Sequence, residues 1–148
     1  MQQWQADGKV AIIDKSENVN VSYTWQQKNE TFRLHFYSPF SIESVTISGS
    51  YQNFHVLANN SEGTKEVKLE KDLPITELRW WIKGLPAPHW HIEASKYDRY
   101  NQLQELRQNG WHIQYLSYHI DRAISLPERL TLAKDDIKIK LYIGTWLE

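Results

Sequence analysis

Cysteine is missing from all 148 residues, so neither a disulfide framework nor a thiol nucleophile enters the account. Excess charge is missing too. A net charge of −1 gives no basic footprint for a nucleic acid to read, and no nucleic-acid partner is expected. No apolar run approaches the ~18 residues of a membrane-crossing helix. Met1-Gln2-Gln3-Trp4 does not open a signal peptide, so the chain is either cytosolic or lacks its targeting segment. No P-loop, G-x-S-x-G elbow, H-E-x-x-H run or dinucleotide fingerprint is present, and no nucleotide or other cofactor is expected. Internal repeats, low-complexity stretches and interdomain linkers are likewise absent, which points to a single domain over residues 1–148.

Aromatics, by contrast, are plentiful: seven Trp and eight Tyr. They serve either a well-filled core or a surface or cavity that handles apolar or ring-shaped ligands. The rest of the chain reads mostly as strands. Val19, Val21, Tyr23 and Trp25 alternate with Asn20, Ser22, Thr24 and Gln26, which gives a strand with one greasy face. Phe32, Leu34 and Phe36 repeat the pattern against Arg33, His35 and Tyr37. Further strands are expected at Gly8–Ile13, Ile42–Ser48, Gln52–Ala58, around Val67 and Leu69, and at His89–Ala94. Leu103–Gln108 and Trp111–Tyr118 flank Asn109-Gly110, a strong hairpin signal. Leu126, Leu130 and Leu132 and then Ile137–Ile143 complete the series across the turn Asp135-Asp136.

The segment Leu73–Pro86 is the one convincing helix. Pro74 suits a first turn and Gly84 with Pro86 a stop, while Ile75, Leu78, Ile82 and Leu85 recur at helical spacing beside Trp81. About three turns of helix do not stand alone in water and must lie on the strands. Short turns make neighbouring strands antiparallel. One helix cannot cover the inner face of so many strands, so the sheet must curl. The expected architecture is mainly β (α+β): an open, incomplete antiparallel barrel of about ten to eleven strands, with a helical lid over a hydrophobic cavity. Such a hollow suits a lipid-like ligand. Its expected lining is Val21, Tyr23, Trp25, Phe32, Leu34, Phe36 and Ile47 from the strands, with Leu78 and Ile82 from the helix.

Two further features bear on chemistry. On a strand, His89, His91 and Glu93 would share one face at metal-ligand spacing, with His112 and His119 as distant additions; a plain polar strand face is the weightier reading, and no metal is expected. Glu128, Asp135 and Asp136 read as turn residues rather than an acid/base pair. Phe40 follows Pro39 between two serines in a short loop, either folding back into the core or forming an exposed apolar tip.

Trp25-Gln26-Gln27, Ser38-Pro39-Phe40, Leu73-Pro74-Ile75, Leu78 to Pro86, Gln108-Asn109-Gly110-Trp111, Leu126-Pro127 and Trp146 occur in an order and spacing that resembles the LolB family of outer-membrane lipoprotein receptors of Gram-negative bacteria. The likeness runs from about Gly8 to the C-terminus, and its most specific parts are the helix segment and the Gln-Asn-Gly-Trp hairpin. It implies a fold shared with the periplasmic carrier LolA, and a non-enzymatic function. A monomeric receptor would accept acylated lipoproteins from a LolA-type carrier and insert them into the inner leaflet of the outer membrane, working at its periplasmic face. Phe40, with Pro39, matches the family's membrane-insertion loop. The chain departs from the pattern in lacking a helix before the first strand, a helical segment within residues 59–72, and the cysteine that carries the family's lipid anchor. Signal and anchor are therefore expected to be missing from this sequence. A metal-dependent enzyme centred on His89, His91 and Glu93, and a carbohydrate-binding β module, are the alternatives from other classes.

Overall fold

Alternating polar and apolar side chains settle into long paired strands, and turn residues set their ends. The computed structural model describes residues 3–68, 73–120 and 123–148. The elements run β1 (Gln3–Ile13), β2 (Asn18–Lys28), β3 (Thr31–Tyr37), β4 (Ser44–Ser50), β5 (Phe54–Asn60), β6 (Gly63–Val67), α1 (Ile75–Trp81), β7 (Ile92–Tyr97), β8 (Leu103–Gln108), β9 (Trp111–Tyr118), β10 (Pro127–Lys134) and β11 (Ile137–Leu147). The strands form one eleven-stranded sheet in the order β6-β5-β4-β3-β2-β1-β11-β10-β9-β8-β7. Strands β6 and β7 are its two ends and do not pair with each other among the described residues, so the sheet is open rather than closed. This agrees with the expected mainly-β, antiparallel class.

The chain packs as two compact units: Met1–Lys9, Val21–Pro74 and Gly144–Glu148 in one, Val10–Asn20 and Ile75–Ile143 in the other. In the first, cross-strand registers line the apolar residues into rows. Trp25 faces Leu34, Leu34 faces Ile47, Ile47 faces Val56 and Val56 faces Val67. One step along, Tyr23, Phe36, Val45 and Ala58 form a second row. The opposite face carries Thr24, His35, Thr46, Leu57 and Glu66. Trp4 anchors this unit, with ring centroids 5.3 Å from Trp25 and 5.4 Å from Trp146. Each such buried aromatic removes ~150–250 Å² from water, gross stabilisation of ~4–6 kcal/mol before chain entropy.

In the second unit, Leu106, Ile113, Leu132 and Ile139 form the corresponding row across β8 to β11. The β8–β9 hairpin is the one the sequence predicts. Asn109 (φ 50°) and Gly110 (φ 79°) both take left-handed backbone, as a two-residue primed turn requires. Helix α1 buries Ile75, Leu78 and Trp81. It ends in a Schellman turn: Leu85 N–H donates to Trp80 O (3.1 Å) and Gly84 N–H to Trp81 O (3.0 Å), with Gly84 at φ 79°.

Several boundaries differ from those expected. Strand β1 starts at Gln3, not Gly8. The β4–β5 turn is Ser50–Asn53, closed by reciprocal backbone bonds of 3.1 and 3.2 Å, so Gly49-Ser50 belongs to β4. Ile42 precedes β4 rather than opening it. The helix is two turns long rather than three, because the Schellman turn swings Leu85 out to 45% exposure. Strand β7 begins at Ile92, leaving His89 in a turn after Pro88. Val67 ends β6, while Leu69 lies outside the described residues.

Candidate functional site

The loop between β3 and β4, residues 38–43, is built from its sequence in two short steps. Pro39 sits at the second position of a β-turn in which Ser41 N–H donates to Ser38 O (3.2 Å). Ser41 Oγ then accepts the Glu43 N–H at 3.0 Å, a local bond typical of serine turns. Both bonds hold the backbone in, and Phe40 points out: its side chain is 97% exposed, a conformation in which a Phe gains nothing from the core. Of the two readings offered for Phe40, the structure therefore gives the exposed tip. Ile42 stands beside it at 69% exposure.

A cleft of about 360 Å³ opens against this loop. Its floor is formed by half-buried Val21, Phe36, Val45 and Ala58, and Ser44, Asn59 and Asn60 line it together with Ser38, Ser41 and Glu43 of the loop itself. That size falls at the lower end of the ~300–1,000 Å³ range of small-ligand sites. A larger cleft of about 730 Å³ lies in the same unit, where Trp4, Phe32 and Leu147 contribute apolar surface. Gln3, Gln5, Gln26, Gln27, Lys28 and Arg33 line it with polar groups. The Gln27 amide is engaged there already, donating to Asn29 O (2.6 Å) and accepting from Tyr51 Oη (2.5 Å). The smaller cleft is singled out by its position, since the loop that carries Phe40 forms part of its wall.

The residues expected to line a cavity fall into distinct places. Val21 and Phe36 line the 360 Å³ cleft. Phe32 lines the larger one and stacks on Tyr51 at 4.3 Å. Tyr23, Trp25, Leu34 and Ile47 are buried on the same apolar face, each at 2% exposure or less. Burial pushes the Tyr23 hydroxyl well above the usual tyrosine range, with the Asp7 charge adding to it. Leu78 and Ile82 are buried in the second unit with α1.

The clamp on α1 was not foreseen. Gln108 is fully buried; its Oε1 accepts from Trp81 Nε1 and from Ala87 N, both at 2.8 Å. Its Nε2 donates to Ala87 O (3.1 Å) and Trp90 O (3.0 Å). Tyr115 Oη donates to Trp81 O at 2.5 Å. The only advance sign was a glutamine directly before the Asn-Gly turn, where a strand residue on an apolar row would be expected.

The metal-ligand reading loses its geometric premise. His89 is in a turn, His91 precedes β7, and the Glu93 carboxylate lies 3.4 Å from Gly110 N. His112 pairs with Glu105 at 2.6 Å and His119 meets Ile143 O at 2.7 Å. Among the described residues, no three His, Asp or Glu side chains gather as a metal site. Glu128, expected in a turn, lies in β10 and accepts from Ser117 Oγ at 2.9 Å. Five of the seven Trp are buried, so the tryptophans serve mainly the core.

Residues 2–146 match the family model described as outer membrane lipoprotein LolB. A protein named outer-membrane lipoprotein LolB from Coxiella burnetii (strain RSA 493 / Nine Mile phase I) is 31% identical over 152 residues, spanning 97% of this chain and 71% of the relative. One of the same name from Francisella tularensis subsp. tularensis (strain FSC 198) is 31% identical over 157 residues, spanning 99% and 74%. Among solved structures, a DUF1329 family protein from Desulfovibrio piger ATCC 29098 shares the fold with a TM-score of 0.53 at 5% identity, covering 98% of this chain and 85% of that one. With the family model matched over nearly its whole length, this chain belongs to the LolB family of outer-membrane lipoprotein localisation proteins.

Proposed function

We propose that this chain accepts acylated lipoproteins from a LolA-type periplasmic carrier and inserts them into the inner leaflet of the outer membrane, acting as a monomer. The reading rests on one observation: a 360 Å³ cleft floored by Val21, Phe36, Val45 and Ala58 opens beside a loop whose Phe40 is 97% exposed. An acyl chain gains ~0.8 kcal/mol per buried methylene, so a long one in water is unfavourable by on the order of 10 kcal/mol. It therefore moves from one greasy surface to the next rather than through solvent. Apolar burial is non-directional, so a chain held by it slides out without breaking specific bonds. On this reading the apolar face carrying Tyr23, Trp25, Leu34 and Ile47 extends the cleft inward, and Phe40 meets the leaflet where the chain leaves. Residues 1–148 act as one lipoprotein-binding domain, since β1, β2 and β11 each run from one unit into the other.

Burying one Phe side chain is worth ~1.5–3 kcal/mol, too little to anchor a protein but enough to engage a leaflet briefly. The test is Phe40→Glu. The variant is expected to bind acyl chains as the wild type does and to fail in transferring a bound lipoprotein to liposomes. Wild-type transfer by this variant would remove Phe40 from the delivery step.

A further inference from the structure

Ile42 was expected inside β4, yet the structure leaves it outside. Pairing between β3 and β4 stops at Tyr37 opposite Ser44, so residues 38–43 belong to neither ladder. At 69% exposure Ile42 forgoes the burial that stabilises β-branched residues elsewhere in the sheet, and with Phe40 it makes two exposed apolar side chains within three residues of one loop. Ile42 is the residue spanned by the bond from Glu43 N–H to Ser41 Oγ, two residues from Phe40. The next residue, Glu43, is also exposed and lines the 360 Å³ cleft, so a carboxylate follows the two apolar side chains immediately in the chain.

We propose that Ile42 is a second membrane-contacting residue and that Glu43 sets the depth at which the tip stops. The inference rests on the delivery role read for Phe40. Two projecting side chains enter a leaflet together, and the adjacent Glu43 carboxyl group stays in the headgroup water because desolvating it is costly. Engagement is thereby shallow and reversible, as repeated delivery requires. A bilayer is favoured over a protein surface as the occupant. The six-residue loop offers two exposed apolar side chains, whereas a specific protein interface needs ~800 Å² per partner around a packed core. A leaflet needs no matching shape.

The test measures flotation of the intact protein with phosphatidylcholine/phosphatidylethanolamine vesicles for Phe40→Ser, Ile42→Ser and Glu43→Leu. Both serine variants are expected to lower the partition coefficient, Ile42→Ser by about tenfold, equivalent to ~1.4 kcal/mol. Glu43→Leu is expected to raise it and to slow release from vesicles. If Ile42→Ser partitions like wild type while Phe40→Ser is lost, the role of Ile42 is overturned and that of Phe40 stands. If both serine variants partition like wild type, the delivery reading of the loop itself fails. Loss of carrier-protein capture by Ile42→Ser with unchanged vesicle partition would replace the membrane with a protein partner. Unchanged or weaker partition of Glu43→Leu would overturn the depth stop.

Discussion

Replacing Gln108 with leucine tests how the second unit holds its helix. The substitution nearly keeps volume but removes every bond of the amide. Trp81 Nε1 and Ala87 N lose their acceptor, and Ala87 O loses its donor, all in a setting where Trp81 and Ala87 are at most 4% exposed. The fourth partner, Trp90 O, belongs to a half-exposed residue, so water can replace that bond. Each buried polar group left unsatisfied costs ~1–3 kcal/mol, so the three together cost ~3–9 kcal/mol. Burying a leucine in place of an amide returns ~1–2 kcal/mol. The net loss is expected at ~1–8 kcal/mol, against the ~5–15 kcal/mol that holds a typical domain. Urea unfolding followed by tryptophan fluorescence reads it as a lower midpoint at unchanged slope. Gln104→Leu, on the same strand but exposed, is the control and should stay within ~0.5 kcal/mol. A loss below ~1 kcal/mol for Gln108→Leu would show that water or relaxation satisfies these groups and that the clamp is not what holds α1.

Two further expectations concern pH and the loop. Burial pushes the hydroxyls of Tyr23, Tyr115 and Tyr118 well above their ordinary range, with nearby Asp7, Tyr118 and Asp98, respectively, adding to the effect. Because the folded pKa values lie above the unfolded ones, this stabilisation is full below about pH 10 and is lost as pH rises further. Tyrosinate absorbance should therefore release these three only together with loss of the near-ultraviolet circular dichroism; all eight tyrosines titrating near pH 10 in an intact fold would contradict it. The Phe40→Glu variant should also unfold within ~0.5 kcal/mol of wild type, since the side chain contributes almost no burial, and a larger drop would mean the loop packs in solution.

How far the sequence reveals this protein depends on how local the governing interactions are. The β8–β9 hairpin was legible to the residue because Asn109-Gly110 meets a backbone demand that few pairs satisfy. Strands β2 and β3 were legible because a period of two has one physical meaning once a core exists. The turn after β4 was misplaced because Gly49 looked like the break, whereas the chain reverses through Ser50–Asn53 and tucks Tyr51 into the core at 7% exposure. Leu85 fits helical periodicity, yet it comes after Gly84, and a cap overrides a period. His89 stayed out of β7 because the Gln108 amide holds the carbonyls of Ala87 and Trp90, a contact across roughly twenty residues that no local pattern announces. That clamp ties the helix segment to the Gln-Asn-Gly-Trp hairpin directly: Trp81 Nε1 donates to Gln108 Oε1 at 2.8 Å. At the candidate site, the exposed tip was foreseen at Phe40 and missed at Ile42. The start of β4 is fixed by pairing with Tyr37 rather than by the apolar residue nearest the proline.

The most direct test of the central claim is a fluorescence titration with an environment-sensitive fatty-acid probe on wild type, Val45→Glu and Leu57→Glu. Val45 floors the 360 Å³ cleft, whereas Leu57 lies on the opposite face of the same sheet. Saturable binding that is lost in Val45→Glu and kept in Leu57→Glu is the predicted result. A wild-type protein that does not bind the probe, or a Val45→Glu variant that binds it equally well, would contradict the account.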